Sequence, residues 1–473
     1  MIESIEEHPE RSAARRRVDR EADAPHRQHW FPVAFAVDLD PTALTRVTVY
    51  GTGYVLFRAE GDVLSCLPDR CPHRSARLSD GRLDGGHVEC LYHGWRFEGS
   101  GTCARIPQLT PGTPIPPRAS LQRVPIEIVD GIVWLWGGRP ASADATRIQR
   151  IPALSVPGVR TIDYTTDLPY GQEALVENVL DFAHIHIAHD GARGGGHRAH
   201  AGPLAFDIEE RGVDGFRAAF RSPSMETEAH TGQAEGATIA FDAPNLVHYV
   251  SQYSDGGRIA GLALYSVPLE HDRCRLVYRA YSNFWPKRDL ERPRWREHIH
   301  QMELLEQDMA VVMGQTQELA SERRSLSDLW LPIKSSDQLV LAFRRWVEAN
   351  AAGTPGALGW RTRNDVPPSS SSPAARDRAS LHTRHCSACL AALALMRRRR
   401  IRACYVSFLA TVVAAVLSPP MSLALAAVAV AALLIGVRAH RTVDALTGGP
   451  NPPDPTSIHL AATSDSVVRD EGR

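Results

Sequence analysis

The sequence predicts an α+β chain: a small antiparallel β domain, an antiparallel sheet with helices, and an apolar helical hairpin. Three observations carry this expectation. Short runs of β-branched and aromatic residues, divided by glycine, fill residues 47–136. Further alternating runs over 200–285 are followed by two helical patterns, Trp295–Leu319 and Leu339–Glu348. Finally, 35 uncharged residues run from Ala403 to Val437 between flanking arginines.

Residues 1–29 are rich in Arg, Glu and Asp and contain no apolar core of a signal peptide, so they read as disordered. Trp30-Phe-Pro-Val-Ala-Phe opens the first domain, expected over 30–140. Val47–Tyr50, Tyr54–Arg58 and Val63–Leu67 read as strands. Ile126–Val129 and Ile132–Trp136, joined by Asp130-Gly131, read as a hairpin. The second domain is expected over 141–350. Residues 141–170 read as a Pro-containing connection and Glu173–His189 as helical. Gly215–Arg221, Leu246–Tyr253, Leu262–Val267 and Cys274–Tyr281 read as strands. A Pro/Ser-rich linker over 351–380 precedes a segment (381–402) holding Cys386, Cys389 and the basic run Arg397–Arg400. The stretch 403–437, divided by Pro419-Pro420, reads as a short membrane hairpin with arms of 16 or 17 residues, and 438–473 as a polar tail. Arg402 and Arg438 at its two ends favour the cytoplasmic side, which puts the folded domains there.

With 473 residues and 43% hydrophobic content, the chain can bury two or three cores. A net charge of −1 gives no general nucleic-acid footprint. Eight cysteines without a framework of paired spacings point to a reducing compartment.

Chemistry concentrates first in residues 71–93. Cys71-Pro-His73 and Cys90-Leu-Tyr-His93 are two short loops, each with one thiolate and one imidazole. Two Cys on one iron and two His on the other is the ligand set of a Rieske [2Fe–2S] cluster. A Cys2His2 zinc site more often sets Cys beside Cys and His beside His.

A second group lies in Asn178-Val-Leu-Asp181-Phe-Ala-His184-Ile-His-Ile-Ala-His189. Two imidazoles and a carboxylate on one face of an iron leave positions open for O2 and substrate. Asp181 and His184 are spaced i,i+3. His184 and His189 are spaced i,i+5 and meet at one metal only if the helix ends or bulges. His186, His197 and His200 offer other pairings. For the carboxylate, Glu297, Glu303, Glu306, Asp308 and Glu318 are candidates, with Asp308 beside the apolar stripe of Leu305, Met309 and Val312.

Cys386-Ser-Ala-Cys389 has two readings. A CxxC at a helix start can cycle between dithiol and disulfide, and His382 and His385 with the two cysteines offer a zinc site.

Cys71-Pro-His73-Arg and Cys90-Leu-Tyr-His93-Gly-Trp-Arg-Phe resemble the cluster loops of Rieske non-haem iron oxygenases. Ile106-Pro-Gln108, Glu306-Gln-Asp308, Lys334-Ser-Ser-Asp337, Phe343-Arg-Arg-Trp346 and His385-Cys-Ser-Ala-Cys389 resemble the pheophorbide a oxygenase and chlorophyllide a oxygenase subfamily. The resemblance implies a helix-grip-like catalytic domain, a mononuclear Fe(II) held by His184, His189 and Asp308, and electrons from a ferredoxin and its reductase. It implies oxygenation of an apolar conjugated substrate, a homotrimer, and Cys386 and Cys389 as a thioredoxin-type target. In that ring, Asp181 would bridge a ligand His to the neighbouring subunit's cluster. Phe182, Asp190 and the run 191–200 depart from the plant pattern beside the iron. They leave room for another substrate, such as a pyrrole-containing natural product in a bacterium lacking chlorophyll. A membrane-tethered Rieske electron carrier without catalytic iron is the alternative of another class, and a redox sensor working through Cys386 and Cys389 a third.

Overall fold

The computed structural model describes residues 23–221, 234–253, 257–286, 291–351, 353–357, 359 and 376–449. Of the segments expected to be a disordered terminus (1–29), a linker (351–380) and a polar tail (438–473), residues 1–22, 360–375 and 450–473 lie outside the described residues. The rest corrects the expectation, since Pro25–Arg27 form a turn with Arg27 buried, Arg378–Leu381 a short helix, and 438–447 the end of a long helix.

The first domain contains ten strands. These are β1 (Trp30–Phe35), β2 (Thr45–Val49), β3 (Thr52–Arg58), β4 (Leu64–Pro68), β5 (Arg82–Asp84), β6 (His87–Glu89), β7 (Arg96–Phe97), β8 (Cys103–Arg105), β9 (Ile126–Val129) and β10 (Ile132–Trp136). They form three antiparallel sheets ordered β1-β10-β9, β2-β3-β4 and β5-β6-β7-β8. The β9–β10 hairpin turns on Asp130 (φ 53) and Gly131 (φ 76), the two left-handed residues that a type I′ turn requires.

The second domain is one seven-stranded antiparallel sheet, ordered β11-β17-β16-β15-β14-β13-β12. Its strands are β11 (Arg160–Leu168), β12 (Ala205–Gly212), β13 (Gly215–Arg221), β14 (Ala234–Asp242), β15 (Leu246–Tyr253), β16 (Ile259–Glu270) and β17 (Arg273–Ser282). β11 lies inside the stretch read as a connection, and β12 and β14 were not expected. Helices α1 (Gln172–Leu180), α2 (Ile185–Ala188), α3 (Arg294–Ser321) and α4 (Gln338–Asn350) accompany the sheet. Val176 and Leu180 of α1 and Leu339, Phe343 and Val347 of α4 share a core with Phe216, Phe241 and Val247 of the sheet. Met309 and Val312 of α3 pack with Leu168, Cys274 and Leu276.

A common core welds the two domains. Trp30, Trp134 and Trp136 of the first pack with Tyr265, Val277 and Tyr281 of the second. The loops bearing Cys71 and Cys90 pack instead into a separate apolar group with Val55, Phe57, Leu78 and Phe97. Buried ion pairs reinforce the weld. Arg275 holds Asp167 through two bonds of 2.6 and 3.2 Å and donates to the Val33 carbonyl of β1 at 3.0 Å. Arg279 holds Asp163 and donates to the Asp130 carbonyl at 2.7 Å. Burial alone would raise the Asp167 carboxyl, but Arg275 and then His385 outweigh it and hold it well below the usual range. Its folded pKa is lowered, so the pair's contribution is present above the unfolded pKa of about 3.9 and is lost as pH falls below it. Asp167→Ala, which strands Arg275 in the core, is expected to cost about 3–5 kcal/mol in denaturant unfolding. A loss under ~1 kcal/mol would mean that Arg275 is compensated by other groups.

The C-terminal segment is a pair of long helices, α5 (Ser387–Ala414) and α6 (Met421–Thr447). Their base is buried on the second domain. Cys389, Ala392 and Leu393 of α5 and Val443 and Leu446 of α6 pack with Tyr164 and Met302. This corrects the expectation of a membrane hairpin confined to 403–437, since each arm is part of a longer helix. Among the described residues only Met421–Thr447 has the length and composition to cross a membrane, and most of its apolar stretch is not buried. The arginine run Arg397–Arg400 and Arg402 lie within α5 and lower its apolar character.

Candidate metal centres

Backbone repetition shapes the first centre. Cys71 N–H donates to the Ala76 carbonyl (2.8 Å) and Ser75 N–H to the Cys71 carbonyl (3.0 Å). Cys90 N–H donates to the Trp95 carbonyl (2.9 Å) and Gly94 N–H to the Cys90 carbonyl (2.9 Å). The fourth residue after each cysteine is left-handed, Ser75 at φ 63 and Gly94 at φ 70. The two loops are therefore near copies of each other. Gly81 lets them approach, because a Cβ there would stand 2.1 Å from the Glu89 carbonyl oxygen.

Cys71 and Cys90 are each 2% exposed, and the His73 and His93 rings lie 4.4 Å apart between centroids. His73 stacks on Trp95 at 4.7 Å, and Gln108 Nε2 donates to the His93 carbonyl at 2.8 Å. His93 Nδ1 is buried with no hydrogen-bond partner. Burial pushes the Cys71 thiol up to about 11. A buried imidazole nitrogen with no hydrogen-bond partner and two buried thiols are the donors a metal group takes, and a Rieske cluster fits them.

The second centre depends on a break in the helix. α1 stops at Leu180, and Asp181 (φ −86, ψ 92) caps it, with its N–H shared between the Glu177 and Asn178 carbonyls. Asp181 Oδ1 accepts from Ala183 N–H at 3.0 Å, closing an Asx-type turn. His184 opens the short α2 and His189 ends it. The helix expected over Glu173–His189 is thus two helices, and the shared face assumed for Asp181 and His184 does not exist. It is the Asp181 carbonyl that accepts from His184 Nδ1, while the carboxylate stands 3.9 Å off.

This break brings His184 and His189 together with Asp308 of α3. Asp308 Oδ1 lies 3.5 Å from His184 Nε2 and 3.1 Å from His189 Nε2. His189 Nδ1 donates to Gln307 Oε1 at 2.8 Å, which fixes the tautomer and leaves Nε2 for a metal. Asn178 Nδ2 donates to Asp308 at 3.4 Å. Burial pulls the His189 pKa down, but Asp308 and Gln307 prevail and raise it. Two imidazoles and one carboxylate that meet at a cavity wall fit a mononuclear iron. Sequence reasoning missed Gln307 and Asn178, although each adjoins a motif it used.

Two of the other carboxylate candidates are held by arginines. Glu306 is bonded to Arg378 at 2.5 and 2.7 Å, and Glu297 to Arg193 at 2.7 Å. His186 Nδ1 accepts from His197 N–H, in a separate group with His200.

A cavity of about 480 Å³ opens beside His184 and Asp308. Val311, Val312, Leu329, Trp330, Leu331 and Val340 form its apolar side, and Glu177, Asn178 and Asp181 stand at the metal end. Burial pushes the Glu177 carboxyl up to about 7, against the pull of Arg344. A cavity of about 540 Å³ between Pro25, Tyr50 and Trp346 contains none of the ligand candidates. Phe182 is turned into an aromatic group with Phe206, Phe220 and Tyr249. Asp190 receives Arg198 N–H at 2.9 Å and organises the Gly-rich run. Neither lines the cavity, so these departures from the plant pattern do not touch its wall.

Cys386 and Cys389 are 2% and 0% exposed, at the buried base of α5. His382 accompanies them, but His385 does not: its Nε2 faces Asp167 Oδ2 at 3.3 Å. The missing place is taken by His298 of α3, which sequence reasoning did not consider.

A Rieske-type loop pair ahead of a two-His, one-carboxylate group is the make-up of a Rieske non-haem iron oxygenase. A family profile described as "Rieske [2Fe-2S] domain" matches residues 29–125, and one described as "Pheophorbide a oxygenase" matches 241–325. Chloroplastic protein TIC 55 of Arabidopsis thaliana is 33% identical over 73% of this chain. The chain spans 64% of the length of that relative, under two thirds. Pheophorbide a oxygenase of Arabidopsis thaliana is 30% identical over 77% of this chain and 72% of its own length. The crystal structure of dicamba monooxygenase bound to dicamba is alike in fold, with a TM-score of 0.56 at 22% identity over 68% of this chain and 96% of that one. The chain belongs to the Rieske oxygenase family, in the group of pheophorbide a oxygenase and chlorophyllide a oxygenase.

Proposed function

We propose that the protein inserts oxygen from O2 into an apolar conjugated ring, with electrons from a ferredoxin and its reductase. The observation that carries this reading is the meeting of His184, His189 and Asp308 at a cavity with one apolar side. A pure electron carrier has no use for such a meeting. When bound, the cluster supplies one-electron transfer and the mononuclear iron supplies O2 activation.

The chain's own residues do the rest. Val312, Trp330 and Val340 at the cavity wall take an apolar ring. Gln307 and the Asp181 carbonyl hold the two imidazoles in one tautomer. Glu177, poised near neutrality by burial, can hold a proton at the cavity wall. Tetrapyrroles are the first substrates to try, given the names of the relatives, with smaller apolar pyrroles as the comparison. Reconstituted enzyme supplied with 18O2 should give a product that carries the label. Label found only in water, with every ring recovered unchanged, would sink the reading.

Leu91 and Tyr92, at 73% and 60% exposed, surround the His93 loop, and His73 is exposed. The Asp181 side chain is 37% exposed. These surfaces suit a head-to-tail homotrimer in which one subunit's His73 or His93 meets the next subunit's Asp181. Asp181→Asn should keep both metals and a reducible cluster while slowing single-turnover reoxidation of that cluster by ~10–100-fold, as for an outer-sphere partner. Reoxidation at the wild-type rate would remove the bridge.

The midsections of α5 and α6 expose Tyr405, Phe408, Leu409, Leu423, Leu433 and Ile435. We read this apolar stretch as entering a membrane while the buried base holds the catalytic domain against it, on the cytoplasmic face. The full chain should pellet with membranes and require detergent. Full recovery in the soluble fraction would favour docking on protein alone.

A further inference from the structure

We propose that His298, His382, Cys386 and Cys389 form a structural zinc site, separate from both iron centres. The four side chains come from α3, the segment before α5 and the first turn of α5, and all are buried. Their ligand atoms all lie within 4.8 Å of one another.

The spacing is that of a tetrahedron around one metal. Zinc bonds of ~2.0–2.1 Å to nitrogen and ~2.3 Å to sulfur give N–N edges of ~3.3 Å and N–S edges of ~3.5 Å. His298 Nδ1 and His382 Nε2 are 3.1 Å apart. Cys389 Sγ lies 3.3 Å from His382 Nε2 and 3.5 Å from His298 Nδ1, and Cys386 Sγ lies 3.4 Å from His298 Nδ1.

Proton bookkeeping on the two rings points the same way. His298 Nε2 donates to the Asp163 carbonyl at 2.9 Å, and His382 Nδ1 donates to the Thr165 carbonyl. A carbonyl only accepts, so in each neutral ring the single N–H is on the outer nitrogen. Both inner nitrogens then turn bare lone pairs toward each other and toward the two sulfurs in a buried space, where a cation would bind all four. Outer nitrogens tied to backbone carbonyls are the usual support of metal-bound imidazoles. Two thiolates and two neutral imidazoles make a closed set of charge −2 that a divalent, borderline-soft ion neutralises, with no position left for substrate.

The site ties three parts of the fold together. Asp163 and Thr165 belong to β11, His298 to α3, and the cysteines to the base of the C-terminal helices. Zinc here fixes the apolar helix pair onto the catalytic domain. It also replaces the thiol–disulfide reading of Cys386 and Cys389.

The test uses full-length protein purified in detergent without a metal-affinity tag. Metal analysis should find about one zinc per chain beside the irons. The Cys386→Ser/Cys389→Ser protein and His298→Gln should lose the zinc and keep the reduced-cluster EPR signal. Should either variant fail to fold, the wild type decides. Cobalt in place of zinc should give the intense visible bands of a tetrahedral thiolate site, and maleimide should label Cys386 and Cys389 only after chelation. Zinc well below stoichiometry, zinc retained in the variants, or a Cys386–Cys389 disulfide in freshly purified protein would each overturn the proposal.

Discussion

Cys90→Ser is expected to yield folded protein with no rhombic EPR signal on reduction and no turnover. Cys90 is 2% exposed, and serine is close to it in size, so the packing against Val88 and Phe97 survives. The chemistry does not. A serine oxygen is a hard donor that stays protonated at neutral pH, whereas iron–sulfur ligation needs a soft thiolate. The near-copy loop makes Cys71→Ser an internal control with the same outcome. A signal that persists in either variant, or zinc in place of iron at these loops, would mean that the centre is not a Rieske cluster. Circular dichroism identical to wild type would show that the loss is chemical rather than structural.

Asp308→Ala is expected to keep the reduced-cluster spectrum and to lose turnover by more than ~100-fold, beyond what the loss of an outer-sphere partner usually costs. Asp308 is the carboxylate whose oxygen faces both His184 and His189, so its removal takes away the anionic ligand and leaves two neutral ones. Iron should fall from about three to about two per chain, the pair in the cluster being retained. Normal turnover would move the ligand role to Glu303. Glu306 is not available for it, being held by Arg378 on both oxygens.

Much of this was legible in the sequence. The β9–β10 hairpin followed from Asp130-Gly131, and the gathering of His184, His189 and Asp308 from ligand chemistry plus family resemblance. What sequence reasoning missed has physical reasons. β11 reads Arg-Thr-Ile-Asp-Tyr-Thr-Thr-Asp-Leu, and its two aspartates look like loop residues until Arg275 and Arg279 are known to face them. The break at Asp181 is set by an Asx-type turn that a helical pattern hides. His385 was named because it adjoins the cysteines, and His298 was not considered. His298 is 84 residues from His382, and its one local signal is a place on the buried stripe with Met302 and Met309. Pairing across such a distance is set by tertiary packing, which local pattern does not encode.

Helix α3 sets four side chains to four different tasks. His298 faces His382 and the two cysteines, Glu306 holds Arg378, Gln307 holds His189, and Asp308 stands between the two imidazoles. Successive residues on an α-helix are rotated by about 100° and raised by 1.5 Å. Inserting or deleting one residue between His298 and Glu306 would turn one end of this array against the other by about 100°, so no single rigid adjustment could restore both ends. A substitution on the outer face would disturb none of the four. Over these turns the helix is therefore free in composition on its outer face alone and fixed in length, so changes of length in this half of the chain belong before Arg294 and after Ser321.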